Sequence, residues 1–136
     1  MCLIRHLFIN LYIKNNDEEL SYTKIPCKYK DNKYIFDIDS DKYEIDVKDN
    51  IVFHKKNSES NLDLIFENNK MTTGTYYIKE LNFYMDAKVK TIKYKKEDNK
   101  IEVEYKLWLQ DEEIGNFVFK LEVKEWYYGR FKKWDI

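Results

Sequence analysis

Asn82 to Lys96, NFYMDAKVKTIKYKK, is the stretch that decides the fold. Phe83, Met85, Ala87 and Val89 place apolar side chains at odd positions, whereas Ile92 and Tyr94 fall at even ones. Period-two alternation is the mark of a β-strand with one buried face. Fifteen residues at ~3.3 Å each make a strand too long to lie flat in a small domain, so it has to bend. The one-residue slip of phase near Thr91 predicts a β-bulge that carries the strand round a barrel corner, with Val89 and Ile92 on the same side of the sheet.

The same alternation runs outward in both directions. Leu7, Ile9, Leu11 and Ile13 repeat it, as do Tyr34, Phe36 and Ile38, then Tyr43, Ile45 and Val47, then Leu62, Leu64 and Phe66. Beyond the long strand come Ile101 to Leu109 and Phe117 to Val123 in the same pattern. With three Gly and one Pro in the chain, turns have to be made by Asn and Asp, which tolerate left-handed backbone. Such clusters occur at 15–19, 31–33, 40–42, 48–50, 57–60, 68–70, 97–99 and 111–113, with a further polar break at 79–81. Nine turns separate ten segments, with no amphipathic helix between them. That is the pattern of an all-β, antiparallel, closed barrel of about 8 to 10 strands. Only the tail, with Tyr127, Phe131 and Trp134 at i, i+4 and i+7, suits a short helical turn. The 136 residues form a single domain over 1–136, without linker or repeat.

Particular residues carry a family resemblance. Leu-Ile-Phe at 64–66, Gly-Thr-Tyr-Tyr at 74–77, Val-Lys-Thr at 89–91 and the Tyr-x-Leu strand ending at Leu107 resemble the bacterial YwiB-like proteins of the DUF1934 group. The chain departs from that pattern in having His-Lys-Lys-Asn at 54–57 where the family carries Arg-x-Gly, and no glycine at Glu80 to Leu81. The resemblance implies a calycin or lipocalin-like barrel and brings no established activity with it, since fold alone does not fix function.

Composition excludes several classes. A net charge of -1, with 36% charged residues, argues against a polybasic nucleic-acid protein, and 17% aromatics argue against disorder. Cys2 and Cys27 lack the spacing of a thiolate metal site or a disulfide scaffold and read as free thiols. Arg5, His6 and Asn10 interrupt what an export signal's apolar core would need, and no apolar run approaches the ~18 residues of a membrane span. The expectation is a cytoplasmic protein. Lys outnumbers Arg 22 to 2, a bias that AT-rich codons of a bacterium produce.

Catalytic material is sparse. His6 and His54 are the two histidines, with no nucleophile signature near either, and the chain reads as a non-enzyme. His54 sits on a strand face, as a hydrogen-bonding group toward a ligand or as an ordinary strand histidine. Asp37, Asp39, Glu44 and Asp46 alternate with apolar residues, the pattern of a solvated outer face. No glycine-bearing acidic loop suggests a metal, and no cofactor is expected. The lysines at 88, 90, 93, 95 and 96, interleaved with Tyr84 and Tyr94, suggest a strip for single-stranded nucleic acid. A hairpin closing at 97–100 instead puts Lys95 opposite Glu102 and Lys93 opposite Glu104, which neutralises the strip.

The expected inward residues include Phe66, Tyr77, Phe83, Met85, Tyr105, Leu107, Phe117, Phe119 and Leu121. Hydroxyls on Tyr77 and Tyr105, beside an adaptable Met85, suggest a mouth that orients a small apolar or amphipathic ligand, with His54 as a further contact. The alternative function is an interaction module, a homodimer being one form, built on outward aromatics at Trp108, Trp126 and Trp134. The aromatic end of the chain serves either to close one barrel mouth or to face a partner.

Overall fold

A computed structural model describes residues 4–128, with side chains through Lys124. Ten antiparallel strands make up the fold: β1 (Arg5–Asn15), β2 (Glu18–Lys30), β3 (Lys33–Ile38), β4 (Asp41–Asp46), β5 (Ile51–Lys56), β6 (Ser60–Phe66), β7 (Met71–Ile78), β8 (Phe83–Glu97), β9 (Lys100–Leu109) and β10 (Glu112–Tyr128). Each strand pairs with its neighbours in sequence, and β10 returns to β1, so the sheet closes into a barrel. Closure leaves no open edge along most of the sheet. Among the described residues no helix is long and apolar enough to cross a membrane.

Every Asn/Asp cluster read from the sequence is a strand junction. Asn16, Asp31, Asn32, Asp39, Asn69, Asn82 and Asp111 take positive φ, a conformation whose cost their short polar side chains lower. At Asp31-Asn32 and Gln110-Asp111 both central residues are left-handed, as a two-residue hairpin turn matched to strand twist requires.

Inward residues of the strands form one continuous core, including Leu7, Ile9, Leu11, Phe36, Ile45, Phe53, Leu64, Phe66, Val89, Val103, Tyr105 and Leu121. Ring contacts span the interior between strands that are not sheet neighbours. Phe53 of β5 meets Phe119 of β10 edge-on at 5.3 Å, and Phe66 of β6 meets Tyr105 of β9 at 4.7 Å. Phe36, Tyr43 and Phe53 continue the series on one side, and Phe117 stacks on Tyr105 at the other. The middle of the barrel is therefore filled by aromatic rings, each removing ~150 to 250 Å² from water. Burial pushes the hydroxyls of Tyr34, Tyr43 and Tyr105 above their ordinary pKa, so they are neutral donors at all physiological pH values.

The bulge in β8 lies where the phase slip placed it, with register shifting between Thr91 and Lys93. The extra residue is Ile92, and this corrects one expectation. Ile92 is 44% exposed while Val89 and Thr91 are fully buried, so Val89 and Ile92 do not share a side. Inward phase resumes at Tyr94, opposite Val103 and packed on the core. Lys95 faces Glu102 and Lys93 faces Glu104, as the hairpin arithmetic predicts. The close ion pair is diagonal, Lys93 Nζ to Glu102 at 2.9 Å, with Lys120 Nζ 3.9 Å away on the other side. Flanking lysines cover Glu102 almost completely although it lies on the outer face. Tyr127 is part of β10 rather than of a helical turn; Phe131 and Trp134 lie outside the described residues.

Candidate functional site

The expected site residues do not converge. Leu64 is buried and pairs with Gly74, which puts Leu62 and its partner Tyr76 on the inner face and Asn61 with its partner Tyr77 on the outer one. Tyr77 is thus corrected from inward to outward. Its hydroxyl donates to Asn82 Oδ1 at 2.8 Å, and its ring lies 4.4 Å from that of exposed Tyr84. Tyr105 is buried in the aromatic core, and Met85 is half-buried near one end, opposite Tyr76. Phe83 keeps the inward phase but is 43% exposed, because β8 extends past Leu109, the last residue of β9.

His54 is on the outer face. Its Nδ1 is 2.6 Å from Asp63 Oδ1, directly across from it on β6, and Glu44 faces it from β4. With Ile35, Asp37, Lys42, Lys56 and Asn61 the pair lines a shallow groove of about 570 Å³. Its charges are largely matched: Asp37 lies 3.9 Å from Lys42, and Glu44 lies 3.6 Å from Lys33. Among the described residues no cluster of three His, Cys, Asp or Glu side chains is arranged to hold a metal. Trp108 points outward, half-buried between Lys88 and Glu113 on the flanking strands. The side chain of Trp126 and all of Trp134 lie outside the described residues.

The barrel opens laterally between β2 and β3. These strands pair only from Lys28↔Ile35 to Lys30↔Lys33, next to their hairpin turn. Upstream, β2 follows β1 instead, through an irregularity at which Lys24 takes a φ of 53° and its amide donates to Asn10 Oδ1. Pro26 comes next, with no amide proton to give to a ladder. The gap is a groove of about 430 Å³ lined by His6, Leu7, Phe8, Pro26, Cys27, Lys28, Ile35, Phe36 and Asp37. Leu7, Cys27 and Phe36 are buried and make its apolar floor. Burial pushes the Cys27 thiol up to about 12, against a smaller opposing effect of the Ile35 backbone, so it stays a protonated, apolar surface and not a nucleophile. Of these residues only His6, Cys27 and Asp37 were weighed in the sequence for their chemistry, and none as part of a site here. The signal that was there is Pro26, the chain's one proline.

A family model described as "Domain of unknown function (DUF1934)" matches residues 12–121. The chain belongs to this DUF1934 family. Its structure is similar to that of the ywiB protein from Bacillus subtilis, with a TM-score of 0.51 over 90% of this chain and 93% of that one, at 12% identity. At that identity the likeness speaks for the fold alone. A comparison with curated proteins returned no match. The YwiB-like resemblance read from residues 62–123 is therefore borne out, and the barrel is the DUF1934 fold.

Proposed function

We propose that this DUF1934 barrel is a binding protein that takes a small apolar or amphipathic molecule, and that the molecule enters at the β2–β3 seam and not at the barrel mouth. One observation carries this reading: a groove of about 430 Å³ with a buried apolar floor, at the point where ladder pairing stops. Ligand pockets occupy roughly 300 to 1,000 Å³ and are mostly apolar with few polar groups. The aromatic filling of the barrel's centre speaks against carriage there. Native mass spectrometry of protein purified from its own cells, followed by amide chemical-shift mapping with the released compound, tests the proposal. Shifts centred on Leu7, Cys27 and Phe36 are expected. Shifts confined to Met85 and Phe117 at the barrel end would return the site to the mouth.

A second reading has its own support. The β7–β8 hairpin carries Leu81, Phe83 and Tyr84 at 66%, 43% and 62% exposure, an apolar tip of the kind found at protein interfaces. Sedimentation at rising concentration checks it: a mass that grows for the native chain and stays monomeric for Phe83→Ser with Tyr84→Ser supports self-association.

A further inference from the structure

The seam groove is apolar at its floor and basic along one rim. His6 of β1 and Lys28 of β2 stand directly opposite each other, and both line the groove. Among the described residues Lys28 enters no ion pair. Asp37, the acidic residue of the lining, already lies beside Lys42. Among the described residues the rim thus holds an ammonium without a counter-charge next to an imidazole able to donate a hydrogen bond. The Cys27 thiol below them is neutral and does not repel a negative group.

Resting on the seam as the binding site, we infer that its ligand is an amphipathic anion. The apolar body covers Leu7, Cys27 and Phe36, and a single carboxylate-like head is held by the Lys28 ammonium and the His6 imidazole. Charge complementarity selects this class. A cationic head would be repelled by Lys28, and a neutral one would leave the ammonium without a partner at the edge of an apolar surface, where a charge-assisted hydrogen bond is stronger than in open water. Concavity selects a single dissolved molecule over a bilayer: the groove surrounds its occupant from β1, β2 and β3, whereas a membrane surface meets convex features.

The test titrates the full chain with decanoate and with decanol, which share a tail and differ in charge, and with vesicles of anionic lipid. Calorimetry reads affinity and amide shifts read location, for the native chain and for Lys28→Glu. Lys28 is exposed, so the variant is expected to fold, and an unchanged thermal unfolding midpoint is the check on that. Decanoate is expected to bind about tenfold or more tightly than decanol, and Lys28→Glu to remove that advantage. Equal affinity for the two in the native chain overturns the anionic class while leaving the seam in place. Absence of seam shifts with either compound overturns the seam reading and this inference together. Binding to vesicles without binding to monomeric decanoate overturns the single-molecule occupant.

Discussion

The β1–β10 ladder and the β2–β3 seam are built from the same kind of strand and behave as opposites. The ladder runs from Arg5↔Tyr128 to Asn15↔Phe117, over all of β1 with one register shift between Phe8 and Ile9. The seam holds only next to its hairpin turn and then parts. Along the ladder, Ile9, Leu11 and Leu121 are completely or almost completely buried. At the seam, Leu7, Cys27 and Phe36 are equally buried although ladder pairing between β2 and β3 has stopped, and they form the floor of a groove. Backbone pairing and side-chain burial are thus separable in a barrel. Closure elsewhere lets one joint stay short, and the groove proposed for ligand binding lies at that joint.

The largest expected effect contrasts the two regions directly. Leu121→Ala should cost about 2 to 5 kcal/mol in denaturant unfolding, because the ladder cannot relax around the cavity. Cys27→Ala should cost about 1 kcal/mol, since the seam can. Equal losses would break the contrast.

Next comes Gly74→Ala on β7. An added Cβ would run into the backbone carbonyl of Asp63 and press on Leu64. Overpacking of this kind costs about 1 to 3 kcal/mol, measurable as a lowered melting temperature.

Hydrogen exchange sharpens the contrast without mutation. Amides of 23–25, 27 and 36–38, beside the seam, should exchange about tenfold or more faster than those of 9–13 in the ladder, because local opening there breaks fewer bonds. Comparable protection would mean that the seam is closed in solution.

The smallest effect concerns Glu102. The hydrogen bond from Lys93, opposed by burial and helped by Lys120 and Lys100, holds its carboxyl below the ordinary value of 4.5. A depressed folded-state pKa gives stability that is present at neutral pH and lost as pH falls below 4.5 toward the folded value. Glu102→Gln should flatten that acid limb, by less than about 1 kcal/mol because Lys93 is open to water. An unchanged acid limb would show that the pair contributes nothing measurable.

The sequence by itself determined the number of strands, their order and their turns. Those rest on local chemistry: alternation along each segment, and Asn or Asp where the backbone must turn left-handed. It located the bulge of β8 as well, because a phase slip is a local event. It did not determine which residue is extruded there. Ile92 is the more apolar of the candidates, yet Thr91 is inside with its hydroxyl unpartnered and Ile92 is outside, since pairing with Tyr105 and Glu104 on β9 fixes the parity. Tyr76 and Tyr77 pose the same problem. Adjacent tyrosines give no signal of which one faces inward, and the close approach of Gly74 to Leu64 on β6 decides it. His54 was legible as a strand-face residue, but Asp63, its partner, became visible only through cross-strand register. The seam was decided by tertiary structure, with Pro26 as its one local signal. How far two strands stay paired depends on where β1 and β4 pull them, and that geometry exists only once the barrel has closed.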